Sequence, residues 1–93
     1  MDYTALGRYT DLRKKIIKLH RERGEKRDEL DRAVQMLEAG GTTGWCDYKL
    51  APIEQIVGEL GVMNRQLMVL LHEANIYADA AQEPRFDIVR PPD

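Results

Sequence analysis

The sequence has few of the residues that cross-link or interrupt a fold. Its 93 residues include one cysteine, four prolines, one tryptophan, one phenylalanine and four tyrosines. The lone Cys46 cannot form a disulfide within the chain, and so few aromatic residues are not typical of a β-sandwich. No apolar run resembles a signal peptide or a membrane span. We therefore expect one small cytoplasmic domain that makes no contact with a membrane.

The sequence also lacks a large excess of either charge. It carries 14 Lys or Arg against 16 Asp or Glu, a net charge of −2, with 43% hydrophobic and 32% charged residues. This composition suits a soluble helical protein better than a disordered chain. The charge is divided unevenly, because residues 1–32 carry a net +3 and residues 33–93 a net −5. The first segment could face an acidic partner or the acidic remainder of the same molecule.

Two long series of apolar residues, with alternating steps of three and four, dominate the sequence. Such a series forms one face of a helix, and two stripes of similar length can bury each other. The pattern predicts an all-α fold, an antiparallel two-helix hairpin that resembles a coiled coil. The first series is Tyr9, Leu12, Ile16, Leu19, Arg23, Lys26, Leu30, Ala33 and Leu37, and the second is Ile53, Ile56, Leu60, Met63, Leu67, Leu70, Ala74, Tyr77 and Ala81.

Turn-forming residues set the predicted boundaries. Gly40-Gly41 is a natural helix stop, Pro52 suits a first helical turn, and Pro84 disfavours helix at the residue before it. We expect a hairpin domain over residues 1–82, with a helix over about 3–39, a loop over 40–51 and a helix over about 52–81, followed by an extended tail over 83–93.

Arg23, Gly24 and Lys26 interrupt the first apolar series, and three explanations compete for them. Both long side chains can lay their methylene stems on the seam and send their charges to water. Alternatively, Gly24 breaks the helix into two segments. The third explanation is functional and makes the surrounding basic segment a binding surface for nucleic acid or an acidic protein.

The candidate basic surface is spread around the outer half of the predicted first helix. Acidic residues lie among its members at helix-pairing distance, and no aromatic residue alternates with them. We therefore regard a nucleic-acid-associated function as the alternative to protein binding. The members are Arg13, Lys14, Lys15, Lys18, Arg21 and Arg27.

The second helix carries a further apolar face outside its seam. A helix of an isolated hairpin should be polar there, because that side faces water. We interpret this face as an interface, most simply that of a homodimer forming a four-helix bundle, with a different protein partner as the alternative. Its residues are Gly58, Gly61, Val62, Arg65, Met68, Val69, His72 and Ile76.

The loop and the tail contain the remaining candidates. Trp45 and Tyr48 either cover the last core layer or serve as binding anchors. Phe86 and Ile88 are possible partner anchors in a tail that could fray, lie along the hairpin or add to a partner as a strand.

The sequence offers little for catalysis. Neither His20 nor His72 has a second ligand at helical spacing, so we predict no metal and no cofactor, and a catalytic role for Cys46 is a distant alternative. We expect a non-enzymatic protein that binds and modulates a macromolecule, most simply a protein. Small chains of this kind are typical of regulators, accessory proteins and inhibitors encoded by phages and other mobile elements.

Overall fold

The structure, a computed structural model that describes residues 2–38 and 44–92, is an antiparallel helical hairpin. Helix α1 spans Tyr3–Gln35 and is extended by a 3₁₀ turn over Met36–Glu38, and helix α2 spans Ala51–Ala78. The molecule is elongated, with extents of 66 × 26 × 16 Å. The predicted all-α hairpin is therefore confirmed.

Helix α1 is one continuous element that starts at a side-chain cap. Asp2 accepts hydrogen bonds at Oδ1 from the backbone nitrogens of Thr4, at 3.0 Å, and Ala5, at 3.2 Å. These bonds satisfy amide groups that have no partner in the first turn. The helix continues through Gly24, so the explanation that Gly24 breaks it is wrong.

The far end of α1 differs from the prediction of helix to residue 39. Regular α-helix ends at Gln35, and the last turn tightens into the 3₁₀ turn, as helix ends commonly do. The proposed stop at Gly40-Gly41 lies outside the described residues.

Helix α2 begins at Ala51, one residue before the predicted start, and places Pro52 in its first turn. At its other end the amide of Glu83 donates to the carbonyl of Ala78 at 3.0 Å, and Gln82 has a φ of 55°. A 6→1 hydrogen bond with a left-handed residue is the Schellman closing motif. The predicted end at residue 81 therefore falls in this closing turn.

The core lies between the two predicted stripes. Every position of both series is buried or half-buried. The best-buried cluster lies toward the chain termini, where the amide of Asp2 also donates to the carbonyl of Ala80 at 3.2 Å. The cluster comprises Ala5, Tyr9, Ile16, Leu19, Leu67, Ala74, Ala78 and Ala81.

The two charged seam residues find partners on α2. Arg23 Nη1 donates to Asn64 Oδ1 at 2.9 Å. Lys26 Nζ donates to Glu59 Oε2 at 2.6 Å and also pairs with Glu29 at 3.1 Å. The seam explanation therefore fits this block best, with cross-helix polar partners that the sequence did not identify. We call these contacts the polar layer.

The tail lies along the hairpin, which is one of the three predicted alternatives. The backbone of Phe86 is hydrogen-bonded to Asn75, and residues 87–91 border a cavity that reaches back along α2 to Asn64. This part of the tail therefore runs antiparallel to α2.

Candidate protein-binding surface

The most distinctive surface is the side of α2 that points away from α1. Val62, Val69 and Ile76 form a line there and are 46%, 58% and 73% exposed. On the opposite side of the same helix, Leu67 and Ala74 are buried against α1. Helix α2 is therefore apolar on two sides, of which the hairpin covers one. We call the line and its polar neighbours Arg65 and His72 the outer face of α2.

Two glycines extend the outer face toward the start of α2. A Cβ added at Gly58 would meet nothing within 4 Å, and one added at Gly61 would lie 3.5 Å from Arg65 Nη1. Packing within the described chain therefore does not require glycine at either position. Both glycines lower helix propensity, by about 1 kcal/mol each relative to alanine.

The structure places the other predicted interface residues on different parts of α2. Arg65 and His72 are exposed beside the apolar line. Met68 is half-buried, packs against the core cluster and borders the cavity beside the tail. Seven of the eight predicted residues thus form or flank one exposed strip. Met68 lies outside the strip, on the side of α2 that the tail covers.

An open groove between the helices adjoins the outer face. It has a volume of about 560 Å³ and an apolar floor formed by Leu19 and Leu70. Lys15 and Lys18 of α1 border it opposite Val69 of α2. The structure therefore brings two members of the candidate basic surface next to the outer face, a proximity that helical periodicity alone did not reveal.

The candidate basic surface remains dispersed on α1. All of its members are exposed, and Arg21 pairs with Glu25 at 3.9 Å. Arg27 borders a separate cavity with His20 and Leu60. The full set is therefore wrapped around the helix and does not form a single groove for a phosphate backbone. Its members are Arg13, Lys14, Lys15, Lys18, Arg21 and Arg27.

The polar layer has the strongest electrostatic coupling. The hydrogen bond to Glu59, and secondly the one to Glu29, raises the pKa of Lys26 above its usual value. The bond from Lys26 lowers the pKa of Glu59, and a second bond from Gln55 adds to this effect. Both groups therefore stay ionised at neutral pH and form an ion pair across the seam.

Tyr9 and Asn75 fix the start of the tail. Asn75 Nδ2 donates to the Phe86 carbonyl at 2.9 Å, and its Oδ1 accepts from the Phe86 amide at 2.7 Å. The Tyr9 hydroxyl donates to the Pro84 carbonyl at 2.7 Å, and its ring stacks on that of Phe86 with centroids 5.9 Å apart. We call the channel from Tyr9 and Asn75 along α2 the tail cleft.

The predicted anchors in the loop and tail have different surroundings. Trp45 is fully exposed, so it does not cover the last core layer, and that interpretation of Trp45 is wrong. Tyr48 is also exposed. Phe86 and Ile88 are half-buried in the tail cleft, where they contact their own chain.

The residues considered for catalysis border three separate cavities, which contain His72, Cys46 and His20 respectively. Cys46 is exposed, and its Sγ lies 3.9 Å from the carbonyl of Leu37 in a weak hydrogen bond. Among the described residues, no group of three or more His, Cys, Asp or Glu side chains could hold a metal ion. Neither described helix has the length and apolar character needed to cross a membrane.

Comparison of the chain with protein-family models, with curated proteins and with solved structures finds no match.

Sequence reasoning missed the residues that hold the tail and the polar layer. Asn75 and Asn64 lie beside the seam of α2, where a polar residue usually faces water. Their partners lie 11 residues away, at Phe86, and 41 residues away, at Arg23. The sequence signal that could have identified them is an Asn next to an apolar seam, because its side chain can hydrogen-bond a backbone group or a charged side chain.

Proposed function

We propose that this chain is a non-enzymatic helical protein of the cytoplasm that binds and modulates another protein. In this proposal, two copies first associate through the outer face of α2 to form a four-helix bundle. The bundle then acts as a small regulator, accessory protein or inhibitor, of the kind that phages and other mobile elements encode.

One observation carries the proposal: the exposed line of Val62, Val69 and Ile76 runs along α2 opposite its buried side. Single exposed apolar residues are common on protein surfaces, but three aligned on one side of a helix at seven-residue spacing favour an interaction site. Arg65 and His72 flank the strip, and Arg is favoured in protein interfaces. The straight outer side of a long helix is suited to packing against another helix.

A protein partner accounts for more of the surface than nucleic acid does. The outer face is mostly apolar, whereas nucleic acid binding depends on cationic contacts with phosphates. The basic residues of α1 are spread around the helix, and acidic residues such as Glu22 and Glu25 lie among them. These features favour protein binding as the main function.

The test replaces one residue of the strip and one outside it. Val69→Glu should abolish self-association and leave most of the helicity, because the new charge is buried between subunits only. Val57→Glu is the matched control, since Val57 is 51% exposed on another side of α2. Sedimentation measures the mass and circular dichroism the helicity. A Val69→Glu protein that keeps the wild-type dimer mass would refute the proposed interface.

A DNA titration at two salt concentrations tests the alternative. Binding that falls steeply with salt and is lost when Lys14, Lys15, Lys18 and Arg21 are neutralised would favour a nucleic-acid function instead. We expect weak binding that these substitutions barely change.

A further inference from the structure

The tail cleft holds the chain's own residues 84–86 mainly through contacts with the backbone. Asn75 bonds both the amide and the carbonyl of Phe86, and Tyr9 donates to the carbonyl of Pro84. A side-chain amide that pairs with both backbone groups of one residue binds an extended segment whatever its sequence. The ring stack between Tyr9 and Phe86 selects an aromatic side chain, and Arg85 adds an exposed ion pair with Asp79 at 3.6 Å.

Beyond Phe86 the tail fits the cleft poorly. Among the described residues, 87–92 make no hydrogen bond and no ion pair with the rest of the chain. Val89 is 79% exposed, and Ile88 is only half-buried. A cavity of about 570 Å³ lies between residues 87–91 and α2. The tail is therefore held at Pro84 and Phe86, and its later residues leave part of the cleft unfilled.

The chemistry of the unfilled part indicates what would fit it better. Met68 and Leu71 supply apolar surface, while Arg23 and His72 supply hydrogen-bond donors at its border. Arg23 bonds the neutral Asn64 and has no carboxylate partner among the described residues. A bulky apolar side chain followed by an acidic one would complement this surface. The tail itself brings both Asp87 and Arg90 to this cavity, but among the described residues Asp87 forms no ion pair with Arg23 or His72.

We propose that the tail cleft is a binding site for an extended segment of a partner protein. The segment carries an aromatic residue, followed by a bulky apolar residue and an acidic residue. The chain's own Pro84-Arg85-Phe86 occupies the site until the partner displaces it. This inference rests on the proposed function only in taking a protein as the partner, and it does not require the dimer.

The first experiment frees the cleft in the full-length protein. Phe86→Ala removes the ring stack and loosens the tail, and a fluorescein-labelled synthetic peptide with the sequence of residues 82–92 serves as the probe. Fluorescence anisotropy should show binding to the Phe86→Ala protein that is at least about tenfold tighter than to the wild type. The reason is that the wild-type tail competes at the high effective concentration of a tethered ligand.

Two controls assign the binding to the cleft. Adding Asn75→Ala to Phe86→Ala should weaken binding at least about tenfold, because the peptide backbone then loses its two amide contacts. A peptide with alanine at the Phe86 position should not bind. A peptide with Glu at the Arg90 position should bind severalfold more tightly, and Arg23→Ala should remove that gain.

A spectroscopic measurement on the wild type covers the case in which Phe86→Ala does not fold. In ¹⁵N NMR spectra, excess Glu-substituted peptide should shift the Asn75 side-chain amide signal and move the tail signals toward random-coil positions. Unshifted NMR signals would overturn the inference. So would a folded Phe86→Ala protein that binds no peptide, or one whose peptide binding does not depend on Asn75.

The same titration in the Val69→Glu background separates this inference from the proposed dimer. Binding should be unchanged there, because Val69 does not border the tail cleft. If the Val69→Glu protein still dimerises and still binds the peptide, the outer-face interface is refuted and the tail cleft is supported. A dimeric Phe86→Ala protein that binds no peptide would refute the cleft alone.

Discussion

The two halves of the hairpin are packed differently although their stripes look alike in sequence. In the terminal half, two helices and the tail surround a cluster that includes the nearly inaccessible Leu67, 2% exposed. In the loop half, Ile56 is buried, but Leu30, Leu37 and Leu60 are only half-buried. Two helices alone enclose their seam less completely than two helices and a third segment do. How deeply a seam residue is buried therefore depends on the segments beside the seam as well as on its position in the stripe.

The polar layer marks the border between the two halves. Arg23 and Lys26 stand where the best-buried cluster ends, and each bonds a residue of α2. Polar contacts of this kind define the helix register at some loss of stability. We infer that the terminal half supplies most of the stability and that the polar layer fixes the alignment of the loop half.

The largest effect should come from emptying the terminal core. Leu67→Ala should lower the free energy of unfolding by about 2–5 kcal/mol, because it leaves a cavity at a nearly inaccessible position. Leu60→Ala, the same change in the loop half, should cost less than half as much because Leu60 is already partly solvated. Urea denaturation of both variants measures the difference. Equal losses would contradict the contrast between the halves.

A smaller change should come from replacing the polar side chain nearest the core cluster. Arg23→Leu should stabilise the protein by roughly 1 kcal/mol or less, because apolar contact replaces an exposed hydrogen bond to Asn64. A thermal melt checks the sign. A lower melting temperature would mean that the Arg23–Asn64 pair itself stabilises the hairpin.

The closing turn of α2 offers a comparable change in the terminal half. Gln82 adopts a φ of 55°, which glycine adopts without strain. Gln82→Gly should therefore stabilise the protein by about 0.5–1 kcal/mol. Gln66→Gly is the control, since Gln66 lies inside α2 and glycine there should destabilise the helix. Chemical denaturation that finds Gln82→Gly neutral or harmful would argue against the left-handed turn.

The smallest effect is the pH dependence of the polar layer. The pKa of Glu59 is lowered in the folded state, so ionised Glu59 stabilises the fold. This stabilisation is present above the unfolded pKa of about 4.3 and is lost as the pH falls through the lower pKa of the folded state. The pKa of Lys26 is raised, so its contribution is lost only in strongly alkaline solution. The melting-temperature difference between wild type and Glu59→Gln should therefore shrink between about pH 6 and pH 3. A constant difference would contradict the pairing.

The sequence predicted the elements well because helical periodicity is a local property. The stripes from Tyr9 and Ile53 identify which side of each helix is covered, and both sides are where the pattern predicts. The 3₁₀ turn at Met36–Glu38 and the one-residue shift to Ala51 are differences of the usual size for helix ends.

The candidate site was less predictable because it depends on contacts between distant residues. The exposure of Val62, Val69 and Ile76 followed from their spacing. The proximity of Val69 to Lys15 and Lys18 depends on the helix register, which periodicity does not fix. The hydrogen bonds between Asn75 and Phe86 depend on the path of the tail, whose sequence has no periodicity from which the path could be predicted.

The central functional claim is that the outer face of α2 joins two copies, and the mass of the purified protein in solution tests it most directly. Light scattering over a dilution series, at low and high salt, should give about 21 kDa, twice the chain mass of 10.7 kDa. The mass should not fall with salt, because the proposed contact is mainly apolar. A mass of 10.7 kDa at every concentration would contradict the dimer and leave Val62, Val69 and Ile76 exposed to a different partner.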